Sequence, residues 1–334
     1  MRAAVIGSGG WGTALALVLL KNGHQVSLWC RREEKCRDMA RSRENPQLRG
    51  VTLPESLDVT ADLSVVKDCK VVILATPSFA VRETARRLNP LLTSGTVLVC
   101  VSKGIEKDSS LLLHQVVEQE VGDRCPVAVL SGPSHAEEVG RNLPTAVVVA
   151  SASREAAELT QDLFMNETLR IYTSPDIVGV EVGAAMKNVI ALCAGCCDGM
   201  GFGDNTKAML MTRGLTEIAR LGVALGARKE TIAGLAGVGD LIVTCTSRYS
   251  RNRRAGILIG QGMSPRQAMD AVGAVVEGYY ATRSARELCL RQNVEMPIIQ
   301  AAWQVLYENA DPLETVKTLL LRRRKAESED AGWL

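Results

Sequence analysis

Aromatic residues are scarce in this 334-residue chain, at 4% for Phe, Trp and Tyr together. A stacking platform for single-stranded nucleic acid needs repeated aromatic faces, so that class is disfavoured. An excess of one charge is lacking too: 39 Lys and Arg face 37 Asp and Glu, a net charge of +2 with His neutral. Nucleic-acid-binding and membrane-surface proteins usually carry a larger basic excess. Any anion bound here must therefore meet a local cluster of cations. The clean apolar runs, such as 14–20, fall far short of the ~20 residues that cross a bilayer, so no transmembrane segment is expected. Met1-Arg2 leads straight into a strand-like run with no leader pattern, which gives the expectation of a cytoplasmic protein. The three histidines, His24, His114 and His135, show no H-E-x-x-H spacing, and Cys193-x-x-Cys196-Cys197 has no second ligand pair. No metal site is expected. The ten cysteines lie mostly in apolar runs, as buried free thiols do in a reducing compartment. Ser131-Gly132-Pro133-Ser134 lacks the G-x-S-x-G spacing of a nucleophile elbow.

What is present is an ordinary globular mixture, 46% apolar and 23% charged, and a length that suggests two domains at about 150 residues each. The first half alternates β-branched runs (3–6, 25–30, 71–75, 96–101, 127–130, 146–150, 169–172) with helix-length segments (11–22, 80–88, 110–120, 154–165). Several of the runs are apolar throughout, as strands covered on both faces must be. The pattern predicts an α/β domain, 1–175, with a doubly wound, mainly parallel sheet. After Ser174-Pro175-Asp176 the sequence reads as helices over 176–198, 205–225, 228–236, 251–262, 264–273, 277–291, 297–308 and 312–323. Ser174 suits an N-cap, Pro175 the first helical position and Asp176 the first turn. A second, all-helical domain is thus expected over 176–334. The basic run 322–325 reads as charge at a helix C-terminus, followed by a frayed tail from 326 to 334.

Gly7-Ser8-Gly9-Gly10-Trp11-Gly12 is G-x-G-x-x-G, and its context is specific: it follows an apolar strand and opens an Ala/Leu-rich helix. Gly7 would allow the tight turn, Gly9 the approach of a pyrophosphate and Gly12 close packing of helix on strand. Helix N-terminal amides would hold the pyrophosphate. At the end of the second strand, where an acidic residue would favour NAD, the chain reads Arg31-Arg32. Guanidinium forks suit a 2′-phosphate, so NADP(H) is the expected cofactor, with NAD(H) possible because Glu33 and Glu34 follow closely.

The second half offers three polar features. Lys187 sits in a mostly apolar helix, where a lysine is either functional or snorkelling to the surface. Desolvated, it would suit acid–base work near neutrality. Asp240, between glycines and an apolar run, reads first as a helix N-cap. Residues 247–254, SRYSRNRR, are dense in phosphate-binding groups at a helix start, or else form an exposed basic turn.

Taken together the chain resembles the bacterial-type NAD(P)-dependent glycerol-3-phosphate dehydrogenases. The resemblance spans nearly the whole chain, in stretches 7–16, 102–106, 130–139, 181–192, 203–207, 212–215, 234–247, 250–252 and 275–278. It implies reduction of dihydroxyacetone phosphate to sn-glycerol 3-phosphate by NADPH or NADH, supplying glycerophospholipid synthesis. It implies that Lys187 is the acid/base and that Lys103 touches substrate and cofactor. Asp240 and Thr244 would lie near the reacting carbons, and Gly132 and Ser134 would line the substrate loop. Ser250, Arg251 and Asn252 would grip the phosphate, with Arg251 also reaching the cofactor. Gly10, Trp11, Arg31, Arg32, Ala136, Val275 and Glu277 would contact the dinucleotide. A homodimer is a further expectation. Gly10 departs from the Ser common in relatives, and Phe202 from a common Leu. Two alternatives stand beside this reading: a related hydroxy-acid or sugar-acid-phosphate dehydrogenase, and an NADP(H) sensor without turnover.

Overall fold

The structure, a computed structural model, describes residues 1–324, 326 and 327. Lys325 and the part of the expected tail from Ser328 to Leu334 lie outside the described residues. The first part of the chain runs β1 (Arg2–Ile6), α1 (Gly10–Lys21), β2 (Gln25–Trp29), α2 (Glu33–Ser42), β3 (Asp58–Thr60), β4 (Val71–Leu74), α3 (Val81–Leu88), β5 (Val97–Cys100), α4 (Leu113–Val121), β6 (Val127–Ser131), α5 (Ala136–Val139), β7 (Thr145–Ser151), α6 (Arg154–Phe164) and β8 (Leu169–Ser174). The strands form one eight-stranded sheet in the order 3-2-1-4-5-6-7-8. All neighbours are parallel except β6 and β7, which pair antiparallel. The order reverses between β1 and β4, where Val5 pairs with Leu28 on one side and Ile73 on the other. The C-terminal ends of the strands beside such a switch point form the ligand crevice of open α/β sheets.

The central strands are apolar throughout because both faces are covered. Val5, Ile73 and Val99 join a core with Leu15, Leu19 and Phe164 from α1 and α6. Their alternates, Ile6, Leu74 and Leu98, join a second core with Leu88 and Val117 from α3 and α4. Three elements escape the sequence reading. The polar α2 has few apolar residues, with only Cys36 and Met39 buried, β3 is only three residues long, and α5 is a single turn.

The rest is helical: α7 (Ile177–Gly199), α8 (Asp204–Ala224), α9 (Lys229–Ile232), a π-helical turn (Leu235–Gly239), α10 (Asp240–Thr246), α11 (Arg251–Gly260), α12 (Pro265–Val272), α13 (Glu277–Gln292), α14 (Pro297–Tyr307) and α15 (Pro312–Leu320). The cap of α7 is Asp176, not Ser174. Asp176 Oδ1 accepts from Gly179 N at 2.8 Å, while Ser174 Oγ accepts from Asp176 N. An Asp oxygen reaches the third amide beyond it, so the cap falls two residues later than expected.

By length and mean hydropathy, 1.6, α7 alone among the described helices could cross a membrane, but its apolar window is 89% buried by the rest of the protein. Glu181 and Lys187 interrupt its apolar run. It is the axle of the helical domain. Gly195 and Gly199 bring it against α11 so closely that a Cβ would stand 2.0 Å from Arg253 O and 2.2 Å from Ile257 O. Gly256 and Gly260 of α11 return the contact against Leu192 O and Cys196 O. This backbone-to-backbone crossing fixes Asn252 beside Asn188, the neighbour of Lys187.

Candidate active site

Lys187 lies midway along α7, 5% exposed, with its ammonium turned inward rather than snorkelling. Nζ donates to Asp240 Oδ1 at 2.5 Å and to Thr244 Oγ1 at 2.7 Å. Asp240 and Thr244 stand four apart on α10 and so present one face to α7. Their approach depends on Gly183, one turn before Lys187, where a Cβ would stand 2.7 Å from Ala236 O of the π-helical turn. The cap reading of Asp240 is overturned. The residue at the N-cap of α10 is Gly239, and the π-helical turn already supplies the preceding backbone, so the Asp240 carboxylate is left for the lysines.

The other carboxylate oxygen, Oδ2, accepts from Lys103 Nζ at 2.8 Å. Lys103 follows β5 and also donates to Gly132 O at 3.0 Å and Ser134 Oγ at 2.9 Å, both just beyond β6. An ammonium has three donors. Those of Lys103 are all engaged, whereas Lys187 has two engaged and one open. Burial pushes the Lys187 pKa down to about 7; Asp240 opposes this, and Lys103 adds to it.

Asn188, next to Lys187, accepts from Asn252 Nδ2 at 2.9 Å, and Asn252 Oδ1 accepts from Gly278 N at 2.8 Å. Asn252 thus ties α7, α11 and α13 together. Ser250 caps α11 through Arg253 N. Arg251 is exposed and makes no side-chain hydrogen bond or ion pair among the described residues. Its charge reaches Glu277, the first residue of α13. Glu277 accepts from Ser78 Oγ at 2.7 Å, and Val275 sits half-buried two residues earlier. Burial raises the Glu277 pKa and the Ser78 hydrogen bonds oppose the rise.

The glycine-rich turn fits a dinucleotide. Gly7 has φ +129° and a Cβ there would stand 2.5 Å from Ala75 O; at Gly12 it would stand 2.1 Å from Gly7 O. At Gly9 nothing comes closer than Gln47 Oε1 at 3.9 Å, so that face of the turn is open. The N-terminus of α1 has no side-chain cap, leaving its first amides for an anion. Buried Thr76 Oγ1 and Ser131 Oγ, at the C-terminal ends of β4 and β6, have no hydrogen-bond partner among the described residues. At Gly10 a Cβ would stand 2.6 Å from Gln47 O, so a larger residue would need that backbone to shift. Ala136 faces the same spot at 3.5 Å. The Trp11 ring packs against the core, its Nε1 buried without a hydrogen-bond partner among the described residues. Arg31 and Arg32 are exposed beyond β2, and neither makes a side-chain hydrogen bond or ion pair among the described residues.

Sequence reasoning gave no role to three residues at this site. Ser78 holds Glu277; nothing in its sequence surroundings signals this. His135 follows Ser134, its Nε2 buried without a hydrogen-bond partner among the described residues and its pKa lowered by burial and by Lys187. Lys35 donates to Ser8 O in the glycine-rich turn, a contact hidden because α2 itself was missed. No cluster of potential metal ligands occurs among the described residues.

An open dinucleotide turn on the sheet and a buried lysine–carboxylate pair on the helices define a two-domain NAD(P)-dependent dehydrogenase. The comparisons narrow the class. Family models for the N-terminus and C-terminus of NAD-dependent glycerol-3-phosphate dehydrogenase match residues 2–157 and 176–317. The chain is 55% identical over 332 residues to the glycerol-3-phosphate dehydrogenase (NAD(P)+) of Moorella thermoacetica, covering 99% of this chain and 98% of that one. It is 51% identical to that of Desulfitobacterium hafniense, covering 98% and 94%. A crystal structure of glycerol-3-phosphate dehydrogenase from Coxiella burnetii superposes with TM-score 0.93 at 39% identity, covering 96% and 99%. The chain belongs to the NAD-dependent glycerol-3-phosphate dehydrogenase family.

Proposed function

We propose that this chain reduces dihydroxyacetone phosphate to sn-glycerol 3-phosphate, reversibly, with Lys187 as the proton donor and NADPH favoured over NADH. The observation that carries the mechanism is the donor count at the two lysines: Lys187 alone keeps an N–H free for a substrate oxygen. The bound nicotinamide cofactor supplies the hydride. Lys187 gives a proton to the carbonyl oxygen as the alcohol forms, and takes it back in the reverse direction. Asp240 and Thr244 hold its ammonium in place. Lys103 balances the Asp240 charge and, with Gly132 and Ser134, shapes the substrate loop. Arg251, with Ser250 and the α11 N-terminus, takes the substrate phosphate, and Asn252 holds that end of α11 against Asn188. Fixing both ends of a small substrate in this way contributes several kcal/mol toward the barrier.

Gly7, Gly9, Gly10 and Gly12 hold the pyrophosphate, with Trp11 and Ala136 beside it; Val275 and Glu277 lie toward the nicotinamide. Arg31 and Arg32 would meet a 2′-phosphate. We read residues 1–175 as the dinucleotide-binding domain and 176–334 as the substrate-binding and catalytic domain. The protein is a cytoplasmic homodimer in this account, and its product feeds glycerophospholipid synthesis.

The test is loss of NADPH absorbance on adding dihydroxyacetone phosphate, with NADH in a parallel cuvette and unphosphorylated dihydroxyacetone as control. Oxidation confined to the phosphate ester supports the reaction, and faster oxidation of NADPH at equal low concentration supports the cofactor preference. No oxidation, despite cofactor binding, would leave the sensor reading.

A further inference from the structure

Lys35, one turn into α2, makes no ion pair among the described residues. Its Nζ instead donates to two neutral acceptors, Ser8 O at 2.6 Å and Gln47 Oε1 at 3.3 Å. Ser8 lies inside the glycine-rich turn, between Gly7 and Gly9. In a doubly wound fold the 2′ position of the adenosine ribose meets the end of the second strand beside this turn. Lys35 thus brings a half-buried cation to that place, near enough to Arg32 for the two charges to repel. Burial holds its pKa below the ordinary lysine value, and Arg32 pushes the same way. A phosphate dianion would relieve both.

Ser8 O does not depend on Lys35. Asn45 Nδ2 donates to the same oxygen at 3.2 Å while holding Thr13 Oγ1 at 2.7 Å. The ammonium can therefore leave Ser8 O for an arriving anion without stripping a carbonyl of its only donor. The nearby acids do not claim Lys35: Glu33 pairs with Arg37 at 4.0 Å, and Glu34 is exposed.

We propose that Lys35 is a specificity-determining residue, whose ammonium moves from Ser8 O to the 2′-phosphate of NADPH and, with Arg31 and Arg32, sets the preference over NADH. The inference rests on the placing of the cofactor's 2′ group at the end of β2. The alternative is that Lys35 only braces the glycine-rich turn.

The two are separated by binding of adenosine 2′,5′-bisphosphate and adenosine 5′-monophosphate, which differ only in the 2′-phosphate, to the full chain and to Lys35→Met, Lys35→Arg and Arg32→Met. Lys35→Met should weaken the bisphosphate about tenfold and the monophosphate less than about twofold, while Lys35→Arg keeps most of the discrimination. Equal weakening of both ligands by Lys35→Met would make Lys35 a brace and overturn the proposal. So would no change in either ligand. If Arg32→Met erodes the discrimination and Lys35→Met does not, the placing of the 2′ group stands and Lys35 alone is excluded. If the parent protein binds both ligands equally, the placing itself fails and the proposal goes with it.

Discussion

Lys187 on α7 and Asp240 on α10 meet at 2.5 Å between Nζ and Oδ1, with side chains 6% and 1% exposed. Burying two such charges costs several kcal/mol per ion before their attraction returns it, and apolar replacements of buried pairs are often no less stable. Stability is thus a weak reason for this pair. Its geometry suits proton transfer: the carboxylate bridges two lysines, and one ammonium N–H remains free.

The pH dependence follows from the burial of Lys187, which brings its pKa to about 7. Reduction needs the protonated amine, so kcat/KM for dihydroxyacetone phosphate should be level below that value and fall as pH rises through it. Oxidation of glycerol 3-phosphate needs the free amine and should rise over the same range. Profiles in the two directions check this. Parallel profiles, both rising or both falling, would remove Lys187 from the proton transfer.

Arg251→Ala should act on binding. Arg251 is exposed at the start of α11 with no side-chain partner among the described residues, so its loss should leave the fold intact. The expected effect is a KM for dihydroxyacetone phosphate raised by about 10–100-fold, as for one lost charge-assisted phosphate contact. Initial rates give the value. A KM within about twofold of the parent would place the phosphate elsewhere.

The glycine-rich turn separates binding from folding. Gly9→Ala adds a methyl where the protein has nothing within 3.9 Å, so stability should change by no more than about 0.5 kcal/mol while the NADPH Kd rises about tenfold or more. Gly12→Ala drives the methyl to 2.1 Å from Gly7 O, and stability itself should fall by about 1–3 kcal/mol. Urea unfolding and NADPH fluorescence titration read the two effects. Normal NADPH binding by Gly9→Ala would move the pyrophosphate off this turn.

His114 and Glu181 form a second buried pair, 2.5 Å between Nδ1 and Oε2, tying α4 to α7. His114→Phe would leave the Glu181 carboxylate with only the His114 backbone N–H, at a cost of about 3 kcal/mol. Glu181 raises the His114 pKa against the opposing effect of burial. A raised histidine gives its full stability contribution below its ordinary value of 6.5 and loses it as pH rises through the folded value. Burial also raises the Glu181 pKa, so both groups work in the same direction and the parent's stability in urea unfolding should fall as pH rises through the folded His114 value. A loss under about 1 kcal/mol would show that the pair is dispensable.

The fold was legible where the periodicity was strong. The fully apolar strands 71–74 and 97–100 and the long helix holding Lys187 all read directly from the sequence. The antiparallel turn of β7 did not, because a buried strand looks the same in either direction. The glycine pattern drew attention to the turn through its context, an apolar strand before it and an Ala/Leu-rich helix after it. Asp240 was misread as a cap because its π-helical lead-in has no sequence pattern of its own. Its partnership with Lys187 and Lys103 joins residues 53 and 137 apart, and only packing brings these together. Ser78 and His135 were hidden for the same reason, and Lys35 because α2 was missed.

The most direct test of the account is NADPH absorbance after dihydroxyacetone phosphate is mixed with preformed protein–NADPH complex, for the parent and Lys187→Met side by side. The parent should oxidise NADPH rapidly and the variant at a rate lower by about 10²–10⁴, with NADPH affinity nearly unchanged. Equal rates in the two proteins would contradict the account.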